Sequence, residues 1–259
     1  MKCVEYGREH KETVMLLHGG GLSWWNYREE AELLRDEYHV VLPVLDGHAG
    51  SDRPFTSIES NAGENIKYID EHLGGSAALI GGLSLGGQVL LEMLSQRGGI
   101  CRHAFVESAM VIPSKMTHAL VGPAFGMSWG LIGNRRFAAL QFRALHIKPE
   151  LFEDYYRDSR AVSRRDMIAF MKANTGYSLK ESIRQCRAET RLFVGEKEPR
   201  GVRRSAELVR KYMPDWPVTV LPGYRYGDLS VNHAGKYVQA VREALGNGAC
   251  REAARNIVK

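Results

Sequence analysis

Apolar residues fall into two kinds of run along this chain. Short, nearly continuous ones read as strands buried on both faces: TVMLLHG (13–19), HVVLPVL (39–45), AALIGGL (77–83), HAFVESA (103–109), RLFVGE (191–196) and PVTVLPG (217–223). Between them lie longer stretches with apolar positions at helical spacing, at 25–37, 58–73, 87–97, 204–213 and 235–245. This alternation predicts an α/β fold, a mostly parallel doubly wound sheet with right-handed crossovers. The rhythm breaks between about Pro113 and Arg187, where aromatic and Met-rich helical text holds no convincing strand. A long insertion at the strand ends, where open α/β sheets bind ligands, predicts a helical cap over the site. The expected division is core 1–112, cap 113–187 and core 188–259.

Composition changes this picture little. The 259 residues are 44% hydrophobic and 25% charged, ordinary for a soluble globular protein. A surplus of five basic residues argues against a nucleic-acid surface. The Arg-rich pieces 157–166 and 199–204 read as solvated helix faces. Cys3, Cys101, Cys186 and Cys250 are far apart, which speaks against zinc and a disulfide framework and fits a reducing compartment. No signal or transit segment is visible, and the longest apolar stretch (118–133) is too short and broken for a span of ~20 residues. The expectation is a cytoplasmic protein with no metal, cofactor, membrane or nucleic-acid partner; a homodimer is left open.

The string GGLSLGG (81–87) carries the chemistry. It holds a G-x-S-x-G centred on Ser84, with an apolar strand before it and a helix after. A sharp strand-to-helix turn exposes the serine hydroxyl and aims helix N–H groups at the site. A plain glycine-rich turn is the bland alternative. Neither this string nor HGGG has the spacing of a dinucleotide or P-loop site. LLHGGGLSWWNY (16–27) ends the first strong strand. An N–H of Gly20, or next Gly21, with that of Leu85 would hold the oxyanion of a tetrahedral intermediate.

With LPVLDGHAGSD (42–52) and FVGEKE (193–198), these segments resemble the α/β-hydrolase superfamily, in its small bacterial capped branch of esterases, acyl hydrolases and lactonases. The resemblance implies a serine nucleophile, an acid and a histidine in that chain order. Its G-x-x-D acid position reads here Gly195-Glu196-Lys197-Glu198, which makes Glu198 the acid, with Glu196 and Glu107 as alternatives. The expected function is a serine hydrolase that cleaves a small or medium carboxylic ester, thioester or related acyl substrate through an acyl-enzyme.

The family's G-x-x-H position reads Gly223-Tyr224-Arg225-Tyr226, so a tyrosine stands where the base belongs. Either the following loop folds back and His233 supplies the base, or Tyr226 truly holds that place. In the second case the chain is a catalytically impaired ligand-binding protein on the same scaffold, or a tyrosine has been introduced for a histidine. His233 also aligns with the start of the last helix, where Asn232 could be the N-cap. His18 reads as structural.

Overall fold

A computed structural model describes residues 1–246; Cys250 and the end of the predicted second core segment lie outside the described residues. The sheet has seven strands: β1 (Cys3–Tyr6), β2 (Thr13–Leu17), β3 (His39–Pro43), β4 (Ala77–Leu83), β5 (Cys101–Glu107), β6 (Glu189–Gly195) and β7 (Val218–Leu221). Their spatial order is β1-β3-β2-β4-β5-β6-β7. All neighbours are parallel except β1, which runs antiparallel to β3. The short CVEY strand has no counterpart among the predicted elements. It is a four-residue edge strand, and only half-buried, so it lacks the continuous apolar run that marks the others.

The central strands bury both faces. Met15 and Leu17 of β2 join one core, with α2 (Ile58–His72) and α3 (Leu85–Gln96). Val14 and Leu16 join the other, with α1 (Arg28–Leu34) and α10 (Ala234–Leu245). Each fully buried Leu or Val side chain contributes about 1.5–3 kcal/mol, so this two-sided alternation is the main force fixing strand register. At β7 the covered-on-both-faces reading fails, because an edge strand leaves Val220 54% exposed.

Between β5 and β6 stand α4 (Lys115–Ser128), α5 (Arg135–Ala144), α6 (Phe152–Ala161) and α7 (Arg164–Gly176), with no strand among them. Ser114, Asn134 and Ser163 cap α4, α5 and α7 by accepting from first-turn N–H groups. α8 (Arg200–Tyr212) and the five-residue α9 (Asp228–Asn232) complete the chain. The order of strands reverses between β2 and β4, and this switch point opens a crevice at their carboxyl ends. No helix among the described residues is long and apolar enough to cross a membrane.

Candidate active site

Ser84 sits between β4 and α3 with φ 53° and ψ −111°, a conformation that costs a non-glycine residue of order 1–3 kcal/mol. The surroundings hold it there. Its N–H donates to Glu107 O at 2.9 Å, and its carbonyl accepts from Gln88 N at 2.9 Å. A Cβ on Gly82 would lie 2.4 Å from Gly86 O, and one on Gly86 2.1 Å from Leu17 O. The two flanking glycines thus let the turn close against β2. Ser84 is 9% exposed and lines a cavity of about 80 Å³ with Gly19, Gly20, Leu83 and Tyr226.

The glycine loop after β2 is pinned by two buried histidines. His18 accepts from Leu45 N at 3.1 Å through Nε2, so its Nδ1–H donates to Gly19 O at 2.9 Å. His48 accepts from Gly21 N at 3.1 Å through Nε2 and donates from Nδ1 to Asp46 O at 3.1 Å. Burial lowers both pKa values, that of His48 to about 4, so both rings are neutral hydrogen-bonding struts. Gly19 N donates to Asn26 Oδ1 at 3.2 Å. Among the described residues no hydrogen bond uses the N–H of Gly20 or of Leu85. The two residues touch: a Cβ on Gly20 would lie 3.4 Å from Leu85 Cδ2. Leu85 opens α3, where first-turn N–H groups have no intrahelical acceptor and the dipole favours negative charge. Gly21, by contrast, has its N–H committed to His48, so it is not free to hold an oxyanion.

Glu198 follows β6 and is 4% exposed. Its Oε1 accepts from Gly195 N and from Ser108 Oγ, each at 2.7 Å. Ser108 Oγ in turn accepts from Gly227 N at 3.2 Å. Among the described residues Glu198 Oε2 is buried with no hydrogen-bond partner, and burial raises the pKa of the carboxyl. The other two carboxylates go elsewhere. Glu196 is exposed and accepts from Gly223 N at 2.7 Å. Buried Glu107 accepts from Leu229 N at 3.0 Å and Ser230 N at 3.2 Å, clamping the start of α9.

Tyr226 donates its phenolic hydrogen to Ser84 Oγ. The residue is 37% exposed in total, yet its hydroxyl points inward, and burial pushes the phenol up to about 12. His233 makes no hydrogen bond to Ser84. It ends α9, and its ring stacks on Tyr224 with centroids 4.4 Å apart. Its backbone also forms the N-cap of α10, so the expected cap, Asn232, is displaced by one residue. Asn232 turns outward instead, to the insertion: Lys148 N donates to its Oδ1 at 2.9 Å, and its Nδ2 donates to His146 O at 2.9 Å.

Known proteins resemble the chain in sequence and fold. The model of the alpha/beta hydrolase family aligns with residues 14–239. The chain belongs to that family. A hydrolase of Bacillus subtilis (strain 168), YugF, uncharacterized, is 30% identical over 95 residues, which span 36% of this chain and only 34% of YugF. A thermophilic esterase from Thermogutta terrifontis superimposes with a TM-score of 0.76 at 18% identity, over 94% of this chain and 92% of that one. The enol-lactonase from Burkholderia xenovorans LB400 gives 0.79 at 12% identity, over 94% and 95%.

On this hydrolase scaffold, Ser84, Gly20, Leu85 and Tyr226 meet at the crevice, Glu198 is joined to the Tyr226 loop through Ser108, and Gly21, Glu196, Glu107 and His233 serve other contacts. Ser108 is absent from the sequence reading. It too has positive φ, 55°, and it bridges the Glu198 carboxylate to the loop that presents Tyr226. Its one sequence signal is a polar pair, Glu107-Ser108, closing an apolar strand.

Proposed function

We propose that the protein is a hydrolase of small or medium carboxylic esters or thioesters, with Ser84 as nucleophile and with turnover held low by Tyr226 in the place of the base. The hydrogen bond from Tyr226 to Ser84 carries this reading. In the reaction Ser84 Oγ bonds to the acyl carbon and its proton must leave. The carbonyl oxygen takes up negative charge facing the free Gly20 and Leu85 amides. Collapse of the tetrahedral intermediate expels the alcohol or thiol, which takes the proton, and water then releases the acid. The helices between β5 and β6 act as a cap over the crevice. The structural relatives named as esterase and enol-lactonase support an ester-type substrate, and the unpaired Cys3, Cys101 and Cys186 support a reducing, cytoplasmic setting.

The difficulty lies in the proton transfer. A histidine base accepts the Oγ proton, but Tyr226 donates to Oγ and so draws electron density away from the attacking oxygen. With a pKa of about 12 the phenol is ionised to only about one part in a hundred thousand at pH 7. Loss of the histidine from a comparable triad costs roughly a millionfold in turnover. The unpartnered Glu198 Oε2 supports the same reading: a phenol has one polar end, so it cannot bridge acid and serine as an imidazole does.

Turnover of p-nitrophenyl butyrate by the protein, by Ser84→Ala and by Tyr226→His tests the proposal. Tyr226→His is expected to raise kcat by about 10²–10⁴-fold. Ser84→Ala should abolish the activity of both. No turnover by Tyr226→His, and no labelling of Ser84 by a fluorophosphonate, would leave a ligand-binding protein without acyl chemistry.

A further inference from the structure

We infer that the cavity beside Ser84 takes a short, uncharged acyl group, and that the segment Leu145–Lys148, stapled by Asn232, sets its length limit. This rests on the reading of Ser84 as acyl acceptor and goes on to name the acyl class. The space amounts to about 80 Å³. A dry cavity of about 150 Å³ accommodates benzene, so this one suits an acyl chain of about two to four carbons.

Its walls are Leu22, Leu83, Leu145, Ile147 and Val231, with backbone of the glycine loop and Gly227. Among the described residues no Lys, Arg, His, Asp or Glu lines it. The polar side chains present are Ser84, Tyr226 and Asn232, and Asn232 is fully engaged. Its oxygen accepts from Lys148 N, and its amide group donates to His146 O and, at 2.7 Å, to Asp228 Oδ1. A charged acyl tail would therefore be desolvated without a counter-ion, at a cost of several kcal/mol.

The outer wall is fixed through its backbone. His146 has φ 56°, and the residues on either side of it, Leu145 and Ile147, both line the cavity. Asn232 holds this kinked segment on both sides of Ile147, through His146 O and Lys148 N. The wall is set by the α9 contact, so a long chain cannot displace it cheaply.

Two measurements test this. The first is the rate at which ethyl and octyl p-nitrophenyl phosphonates label Ser84, followed by intact mass. The ethyl compound is expected to react at least about tenfold faster, and Ile147→Ala or Leu145→Ala to bring the two rates together. The second uses Ser84→Ala, which cannot be acylated. Methyl butyrate should shift the NMR methyl signals of Leu145, Ile147 and Val231, and methyl octanoate should leave them in place until Ile147 is truncated. Equal labelling rates, or equal shifts from octanoate, would overturn the length limit. Absent labelling together with selective butyrate shifts would overturn the acyl-acceptor chemistry and leave the pocket assignment standing.

Discussion

In the proposed reaction one side chain decides the chemistry. There Tyr226 presents a donor where an acceptor is needed, and its phenolate is the form that can take the Ser84 proton. Because the phenol is pushed up to about 12, the phenolate fraction grows about tenfold per pH unit throughout the working range. The Ser84-dependent rate, corrected with Ser84→Ala, should therefore climb with near-unit slope in log kcat/KM from pH 7 to 10. In Tyr226→His it should level off near neutrality. A plateau near pH 7 in the unaltered protein would show that a different group, with an imidazole-like pKa, removes the proton. The residues of the elbow were legible in the sequence, since G-x-S-x-G between a strand and a helix has few other uses. Gly20 stood ahead of Gly21 in the sequence, but the physical reason did not show there: the N–H of Gly21 is spent on His48, a residue 27 positions away. The choice between Tyr226 and His233 likewise turned on how tightly a loop folds, which spacing does not reveal.

At the scale of elements, α9 is the joint that matters. Glu107, at the end of β5, holds its first turn through Leu229 N and Ser230 N. Burial, the largest influence, pushes this carboxyl up to about 7. The folded chain therefore keeps a proton that the unfolded chain releases above about pH 4.5. The contribution of Glu107 to stability should fall as pH rises from about 4.5 to 7, by on the order of 3 kcal/mol, and then stay level. Glu107→Gln should flatten that slope in urea denaturation; an unchanged slope would show that Glu107 titrates alike in both states. The core elements themselves were readable from periodicity. Those missed or misjudged were the two edge strands, β1 and β7, where one-sided burial dilutes the apolar pattern.

Across the whole molecule, the net charge of +5 conceals a division. Residues 113–187 carry thirteen Lys and Arg against six Asp and Glu, so the remainder of the chain is slightly acidic. One ion pair across the seam follows this polarity, Lys148 of the insertion with Glu29; another, Arg28 with Asp154 at 2.9 Å, runs the other way. The buried tie is between Trp25 Nε1, which donates, and Asp158 Oδ2, at 2.8 Å. Asp158→Ala leaves that indole N–H without an acceptor and should cost about 1–3 kcal/mol in denaturant unfolding, with Asp158→Asn recovering part of it. A midpoint unmoved by the alanine would mean that the Trp25–Asp158 bond adds nothing to the docking of the insertion.

The same small helix links pocket and chemistry in another way. Asp228 takes the Arg225 amide with one oxygen and Asn232 with the other, and Asn232 carries the wall at Lys148. The loop bearing the phenol and the partition that measures the substrate thus hang from one bracket. A mutation that widens the chamber by shifting this bracket would also re-aim Tyr226, so an evolving lineage could not tune its diet and its reactivity independently here.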